Sequence, residues 1–318
     1  MLLITGGSGF IGRHLLDRLS AANVRARCLT RGASLPYPNI EIVRGDLVTG
    51  AGTEQALDGV HTVIHLAGAT KVLRTADYYA GNAHATETLA RAAAGRNLRF
   101  IHVSSLAAAG PAPLGSPLDE DCEPRPVSHY GKSKLEGERI VRRLVPDAVI
   151  VRPPVVYGPR DTDVFQMLRS VARGWALEIG RSERWFSAIY VGDLAEALAQ
   201  LAANSLGSGR TYFLTHPEAV SWRRLADAAG AIMGVRPRHV AVPSGLARAV
   251  GFSAEVWSFL TRKSGILSRD KIAEALQENW MCTPRRAAAE LGWQAATPLE
   301  TGLSLTLQWY REAGWLKY

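Results

Sequence analysis

Cysteine is scarce and widely spaced in this chain. Cys28, Cys122 and Cys282 form no CxxC pair and no metal-ligand spacing, which sets aside a disulfide framework and a zinc module and leaves inert thiols in a reducing compartment as the expectation. Long apolar runs are missing as well. The most apolar late stretch, residues 244–260, is interrupted by Arg248 and Glu255 and is too short and too polar to span a bilayer. A packed amphipathic helix is expected there, with a peripheral lipid-facing one as the alternative. Internal repeats and low-complexity tracts are absent. No signal peptide precedes the first strand, because Met1-Leu2-Leu3-Ile4 runs directly into a glycine turn, so the expected location is the cytoplasm. Clusters of one charge are lacking too. The formal net charge is +8, yet the Lys and Arg residues are scattered, which offers no track for nucleic acid, and none is expected as a partner.

What is present is the composition of a folded globular protein, with 318 residues, 47% of them hydrophobic and 21% charged. The first half alternates short β-branched runs with longer helix-period segments. Strands are expected at residues 2–5, 24–30, 40–44, 62–66, 99–104 and 148–151, and helices at 11–21, 53–57, 77–94 and 128–144. That order predicts an α/β fold with a doubly wound parallel sheet. After Arg152 the pattern loosens into Pro153-Pro154, Gly158-Pro159 and short helices. A dinucleotide-binding domain over 1–155, with a return segment over 187–204, and a smaller, mostly helical substrate lobe over 156–318 are therefore expected. Near the C-terminus Leu303, Leu307 and Tyr310 share one face of an amphipathic helix.

The first turn is the most informative segment. Thr5-Gly6-Gly7-Ser8-Gly9-Phe10-Ile11-Gly12 lies between the first strand and the first helix. Gly6 permits a tight turn, Gly9 lets backbone approach a pyrophosphate, and Gly12 lets helix and strand pack closely, while the helix N-terminus offers free N–H groups to phosphate. Phe10 and Ile11 belong to the same cofactor loop. Farther on, where an NAD site would place an acid against the ribose, stands Thr30-Arg31-Gly32. Arg31 can pair with a 2′-phosphate, which favours NADP, with NAD as the alternative. Gly45-Asp46-Leu47 closes the third strand, where Asp46, with Leu47 beside it, could accept from the adenine amino group; an ordinary turn aspartate is the competing reading. Tyr130 and Lys134 are four residues apart at the start of an expected helix and so share a face. A nearby ammonium favours the phenolate, which makes proton transfer to a carbonyl or alkoxide feasible.

Through the TGGxGFIG loop, the YxxxK pair and Val103-Ser104-Ser105 at a strand end, the chain resembles the extended short-chain dehydrogenase/reductase family over nearly its whole length. The resemblance implies that Ser105, five residues before Gly110, is the hydroxyl partner of Tyr130, with Ser104 as runner-up for that role and as a cofactor contact. It implies that His65, Leu66, Ala67 and Gly68 line the cofactor, that Lys134 also binds the nicotinamide ribose, and that Asn82 supports the central helix. Pro153 and Val155 fall where the nicotinamide end should lie. The implied chemistry is hydride transfer between the nicotinamide and a carbonyl or alcohol carbon, with Tyr130 moving the proton at oxygen. A homodimer through the helices near Asp77 and Tyr130 is implied by the same analogy.

Departures from subfamily patterns narrow the substrate. Leu106-Ala107 follow Ser105 where the sugar-nucleotide dehydratases carry Asp-Glu. Val155 replaces the epimerases' Asn, and Phe186-Ser187-Ala188 precede Asp193 where they carry Arg-Asp-Tyr, which leaves Arg160, Arg181 or Arg184 to grip a nucleotide diphosphate. The SSLAAAG segment, with Trp175, Trp185, Phe186 and Trp257, is more similar to the dihydroflavonol reductase and 3β-hydroxysteroid dehydrogenase branches. A largely apolar ketone or alcohol is the expected substrate, although these aromatics could equally fill the second lobe's core. A nucleotide-sugar epimerase using NAD and a non-catalytic NADP-sensing protein are the competing functions.

Overall fold

A strand in a parallel sheet is covered on both faces and should be apolar throughout. In the computed structural model, which describes residues 1–32, 35–180, 182–246, 249 and 269–318, β1 (Leu2–Thr5) is buried at all four residues and apolar at all but Thr5. Arg181, Trp257 and nearly all of the 244–260 stretch singled out above lie outside the described residues. β1 pairs in parallel with β2 (Ala26–Thr30) on one side and β4 (Thr62–His65) on the other. With β3 (Ile40–Arg44), β5 (Arg99–Val103), β6 (Val149–Val151) and β11 (Thr211–Tyr212) they form a seven-stranded sheet in the order β11-β6-β5-β4-β1-β2-β3. The fold is doubly wound α/β, as the alternation predicts. β2 starts later than expected because Asn23 takes a left-handed φ of 54° and Val24 bonds back to the Leu19 carbonyl. β11 was not expected, since two residues carry no period.

Helices cover both faces. Leu15, Leu16 and Leu19 of α1 (Phe10–Ala21) pack with Leu194, Leu198 and Leu201 of α8 (Val191–Ala203) on the side of Leu2 and Ile4. Leu57 of α2 (Thr53–Leu57), Leu89 and Ala90 of α4 (Ala85–Ala93) and Val141 of α6 (His129–Leu144) close the side of Leu3. Burying each such leucine contributes about 2 kcal/mol. The helix expected over 77–94 is α3 (Thr75–Tyr79) running through a π turn (Ala80–His84) into α4, with Asn82 buried in the turn.

The remaining elements gather about a second core. Leu168 of α7 (Val164–Ala172), Leu225 and Ala229 of α9 (Trp222–Met233), and Leu303, Leu307 and Tyr310 of the C-terminal helix (Leu299–Glu312) pack around Tyr157. Tyr157 belongs to β7 (Val155–Tyr157), which pairs in parallel with β10 (Ala188–Tyr190) apart from the main sheet. Burial pushes the Cys28 thiol up to about 11 and the Cys282 thiol up to about 12, so both stay protonated. Among the described residues no helix is long and apolar enough to cross a membrane.

Candidate active site

The strand order reverses direction at β1, and the crevice of such a sheet lies beyond the carboxyl ends of the strands flanking that point. The loops leaving β1 and β4 meet there. Gly6 has φ of 72°, and a Cβ on it would stand 2.6 Å from the Ala67 nitrogen. On Gly12 a Cβ would stand 2.2 Å from the Gly6 carbonyl oxygen, so only a bare backbone lets α1 start this close to the turn. No side chain caps Gly9 at the head of α1. The result is a narrow cradle of backbone N–H groups, which fits the pyrophosphate of a dinucleotide. Phe10 and Ile11 open the helix behind it.

Thr5 holds the two loops in register. Its hydroxyl accepts from the Ala67 amide at 3.2 Å and lies 2.7 Å from His65 Nδ1, while His65 Nε2 lies 3.0 Å from the Thr86 hydroxyl, which donates to the Asn82 carbonyl. The network assigns the proton to Nε2. Burial, with the Lys134 charge nearby, lowers His65 to about 3, so it is a neutral strut. Asn82 then fixes the Leu66-Ala67-Gly68 loop to α6: its amide spans the Ala69 N–H and C=O at 2.8 and 3.0 Å and donates to Ser133 at 2.9 Å. Gly68 has no room for a side chain, since a Cβ would meet Asn82 Oδ1 at 2.7 Å.

α6 begins at this junction. The Ser128 hydroxyl accepts from the Gly131 amide at 2.9 Å, and the Asp270 carboxylate takes the His129 and Tyr130 amides at 2.6 and 3.1 Å, satisfying N–H groups that a helix start leaves over. Helical spacing puts Tyr130 and Lys134 on the face toward the end of β5. Lys134 is buried and donates to the Val103 carbonyl at 2.8 Å; desolvation lowers its ammonium to about 8, with Glu138 opposing. Tyr130 is half-buried, and the Ser105 hydroxyl is near enough to draw its pKa down. Burial raises the Tyr130 pKa, against the pull of Lys271 and the Ser105 hydrogen bond.

Ser105 and Ser104 are separated by strand alternation. Ser105 caps α5 (Leu106–Ala109), accepting from the Ala107 amide at 3.1 Å, and faces Tyr130. Ser104 points inward and donates to Glu138 at 2.5 Å, so its hydroxyl is committed to the interior and Ser105 is the one beside the tyrosine. Pro153 is buried, and its carbonyl accepts from the Leu106 amide at 2.9 Å. Val155 follows at the start of β7, half-buried.

The other sequence-derived candidates divide. Arg31 is exposed just past β2, whose Leu29 is the register partner of Thr5, so it stands beside the glycine turn. Asp46 closes its own turn, accepting from the Val48 amide at 2.9 Å, and Leu47 is buried beneath it. The aromatics weighed as pocket lining or core filling divide as well. Phe186 fills the second core, its ring 4.3 Å from that of Trp222 and tilted by 32°, and Trp175 points outward with the Arg238 guanidinium over it. Trp185 is part-exposed on β9 (Trp185–Phe186). Two of the three arginines considered for a diphosphate are committed elsewhere. Arg184 donates to the carbonyls of Ile179, Leu276 and Gln277, each at 2.7 Å, and Arg160 pairs with Asp17 at 2.5 Å.

Sequence reasoning missed Lys271, whose ammonium lies 5.2 Å from the centroid of the Tyr130 ring, and its neighbour Asp270. Nothing local marks either, because they come from a helix (α10, Arg269–Ala275) far along the chain. Glu138, one turn beyond Lys134, was within reach of the same helical spacing.

A glycine cradle at the sheet's switch point beside a Ser-Tyr-Lys constellation defines an NAD(P)-dependent oxidoreductase. The chain belongs to the NAD dependent epimerase/dehydratase family, which matches residues 2–214. Among its relatives, the ceramide reductase of Caulobacter vibrioides (strain NA1000 / CB15N) is 31% identical over 321 residues, covering 99% of this chain and 96% of that one. The N-acetyl-alpha-D-glucosaminyl-diphospho-ditrans,octacis-undecaprenol 4-epimerase of Escherichia coli O157:H7 is 26% identical, covering 97% and 94%. The crystal structure of gox2253 is similar with a TM-score of 0.82 at 27% identity, over 100% of this chain and 99% of its own.

Proposed function

We propose that the protein is an NADP-dependent reductase interconverting a ketone and a secondary alcohol on a largely apolar substrate. The carrying observation is the placement of Tyr130 in the first turn of α6, beside Ser105, with Lys134 one helical turn away and bonded to the Val103 carbonyl at the carboxyl edge of β5. The Gly6, Gly9 and Gly12 cradle would hold the pyrophosphate, Arg31 the 2′-phosphate, and Lys134 the nicotinamide ribose, with Pro153 and Val155 at the nicotinamide end. Bound there, the dinucleotide supplies hydride to a carbonyl carbon or accepts it from an alcohol. The chain's own groups handle the oxygen. Ser105 donates a hydrogen bond to it, and Tyr130 transfers the proton, so charge developing there is met by two fixed hydroxyls. A buried ammonium at Lys134 keeps positive charge next to the phenol's proton path.

Two observations support the apolar substrate over a sugar nucleotide. Arg184 and Arg160 are both engaged in structural bonds, and the similarity to a ceramide reductase extends over nearly the whole length of both chains. The test is turnover of long-chain, sterol, aryl and sugar-nucleotide ketones with NADPH and NADH, repeated with Arg31→Glu. Faster turnover of apolar ketones with NADPH, reversed toward NADH by the substitution, is the expected result. A tightly retained NAD with turnover of UDP- or GDP-sugars would replace this reading with the epimerase.

A further inference from the structure

Resting on the assignment of Tyr130 as the proton-transfer group, we propose that Lys271 is a positioning residue for it: a second cation, delivered from α10, that holds the phenol ready to release its proton. The Lys271 ammonium stands over the Tyr130 ring, 5.2 Å from its centroid, where the negative face of the π-system attracts a cation and a phenolate would attract it more strongly. The ring and the backbone that carries it each have a partner. Tyr78 packs at 5.9 Å from it, and Asp270, the residue before Lys271, accepts from the Tyr130 and His129 backbone amides. Glu274, one turn further on α10, receives the Ser128 hydroxyl at 2.6 Å and lies 3.4 Å from the Lys271 ammonium. Three successive contacts thus lock one face of α10 onto the first turn of the catalytic helix.

Burial disfavours the Tyr130 phenolate, and among the groups that oppose it Lys271 acts more strongly than the Ser105 hydrogen bond. Among the groups facing Lys271 are Tyr130, Tyr78, Asp163 and Glu274, from four separate segments, and their charges favour its ammonium against its burial. Lys134 is differently placed, donating to the Val103 carbonyl. The two lysines therefore divide the work: Lys134 faces the sheet edge and the expected ribose, and Lys271 faces the ring.

The test needs neither substrate nor cofactor. Full-length protein carrying tyrosine labelled at the ζ carbon is titrated by NMR, and the Tyr130 signal is identified by its loss in Tyr130→Phe. Lys271→Met should move the Tyr130 titration upward by on the order of one unit, and Lys271→Arg, which keeps the charge, should restore it. Thermal melts of both variants check that the chain is folded, and Asp270→Asn, which keeps the lysine, provides a second series. An unchanged titration in folded Lys271→Met, or a shift that Lys271→Arg fails to reverse, overturns the proposal. Because the readout is the phenol itself, a moved titration with no ketone turned over would sink the reductase reading and leave this one standing. Turnover with an unmoved titration would do the reverse.

Discussion

The carboxylate of Glu138 and the guanidinium of Arg152 meet in a two-pronged ion pair, at 2.9 and 2.6 Å, with both side chains buried. Glu138 stands one turn past Lys134 on α6, and Arg152 follows β6, so the pair ties the catalytic helix to the sheet directly behind Ser104, whose hydroxyl it also receives. Both charges are paid for only while both are present. Glu138→Ala leaves an uncompensated guanidinium in the interior and should cost about 3–5 kcal/mol in urea unfolding. A double replacement, Glu138→Leu with Arg152→Met, should recover much of that loss; if the double variant is no more stable than the single, the pair is not what the single variant breaks.

Tyr130→Phe removes the proton and keeps the ring. Turnover should fall about 10²–10⁴-fold, while dinucleotide affinity, followed by quenching of tryptophan fluorescence, stays within a few-fold of the parent. A parallel loss of affinity would assign the tyrosine to binding rather than to proton transfer.

Glycines of the cradle should separate stability from ligand binding. A Cβ on Gly12 meets backbone atoms of Gly6 and Gly7 at 2.2 and 2.7 Å, whereas one on Gly9 meets only the Gly6 oxygen, at 3.2 Å. Gly12→Ala should therefore destabilise the free protein by about 1–3 kcal/mol or more, because backbone cannot step aside. Gly9→Ala should leave the melting temperature nearly unchanged and weaken the dinucleotide, measured by calorimetry.

Lys134 carries a stability penalty with a definite pH signature. Its folded value of about 8 lies below the ordinary 10.5. Below pH 8 the amine is charged in both states, and burying that charge opposes folding. Between the two values the unfolded chain binds a proton that the folded chain does not, so the penalty shrinks as pH rises. The melting temperature of the parent relative to Lys134→Met should consequently climb from about pH 7 to pH 10, even as the variant loses turnover. A flat difference across that range would mean the ammonium is not desolvated.

Legibility in the sequence followed distance along the chain. Strands with a short β-branched, buried run, such as Leu2–Thr5 and Thr62–His65, and the glycines that must be bare, were readable because the constraint acts within a few residues. The two-residue β11 was not, because its pairing with β6 supplies what its own sequence lacks. Aromatic residues in the second lobe showed the other limit: periodicity cannot tell a core ring such as Phe186 from one that points to solvent such as Trp175.

By itself the sequence determined the α/β class, the glycine cradle and the Tyr130–Lys134 pair, since each is a matter of local sterics or of helical period. Only the tertiary structure decided which serine faces the tyrosine, that Arg184 and Arg160 are already engaged, and that Asp270 and Lys271 close over the start of α6. Those are through-space facts. Hydrogen bonding and charge act over a few ångströms regardless of how many residues lie between the partners, and only the folded chain sets which groups come that close.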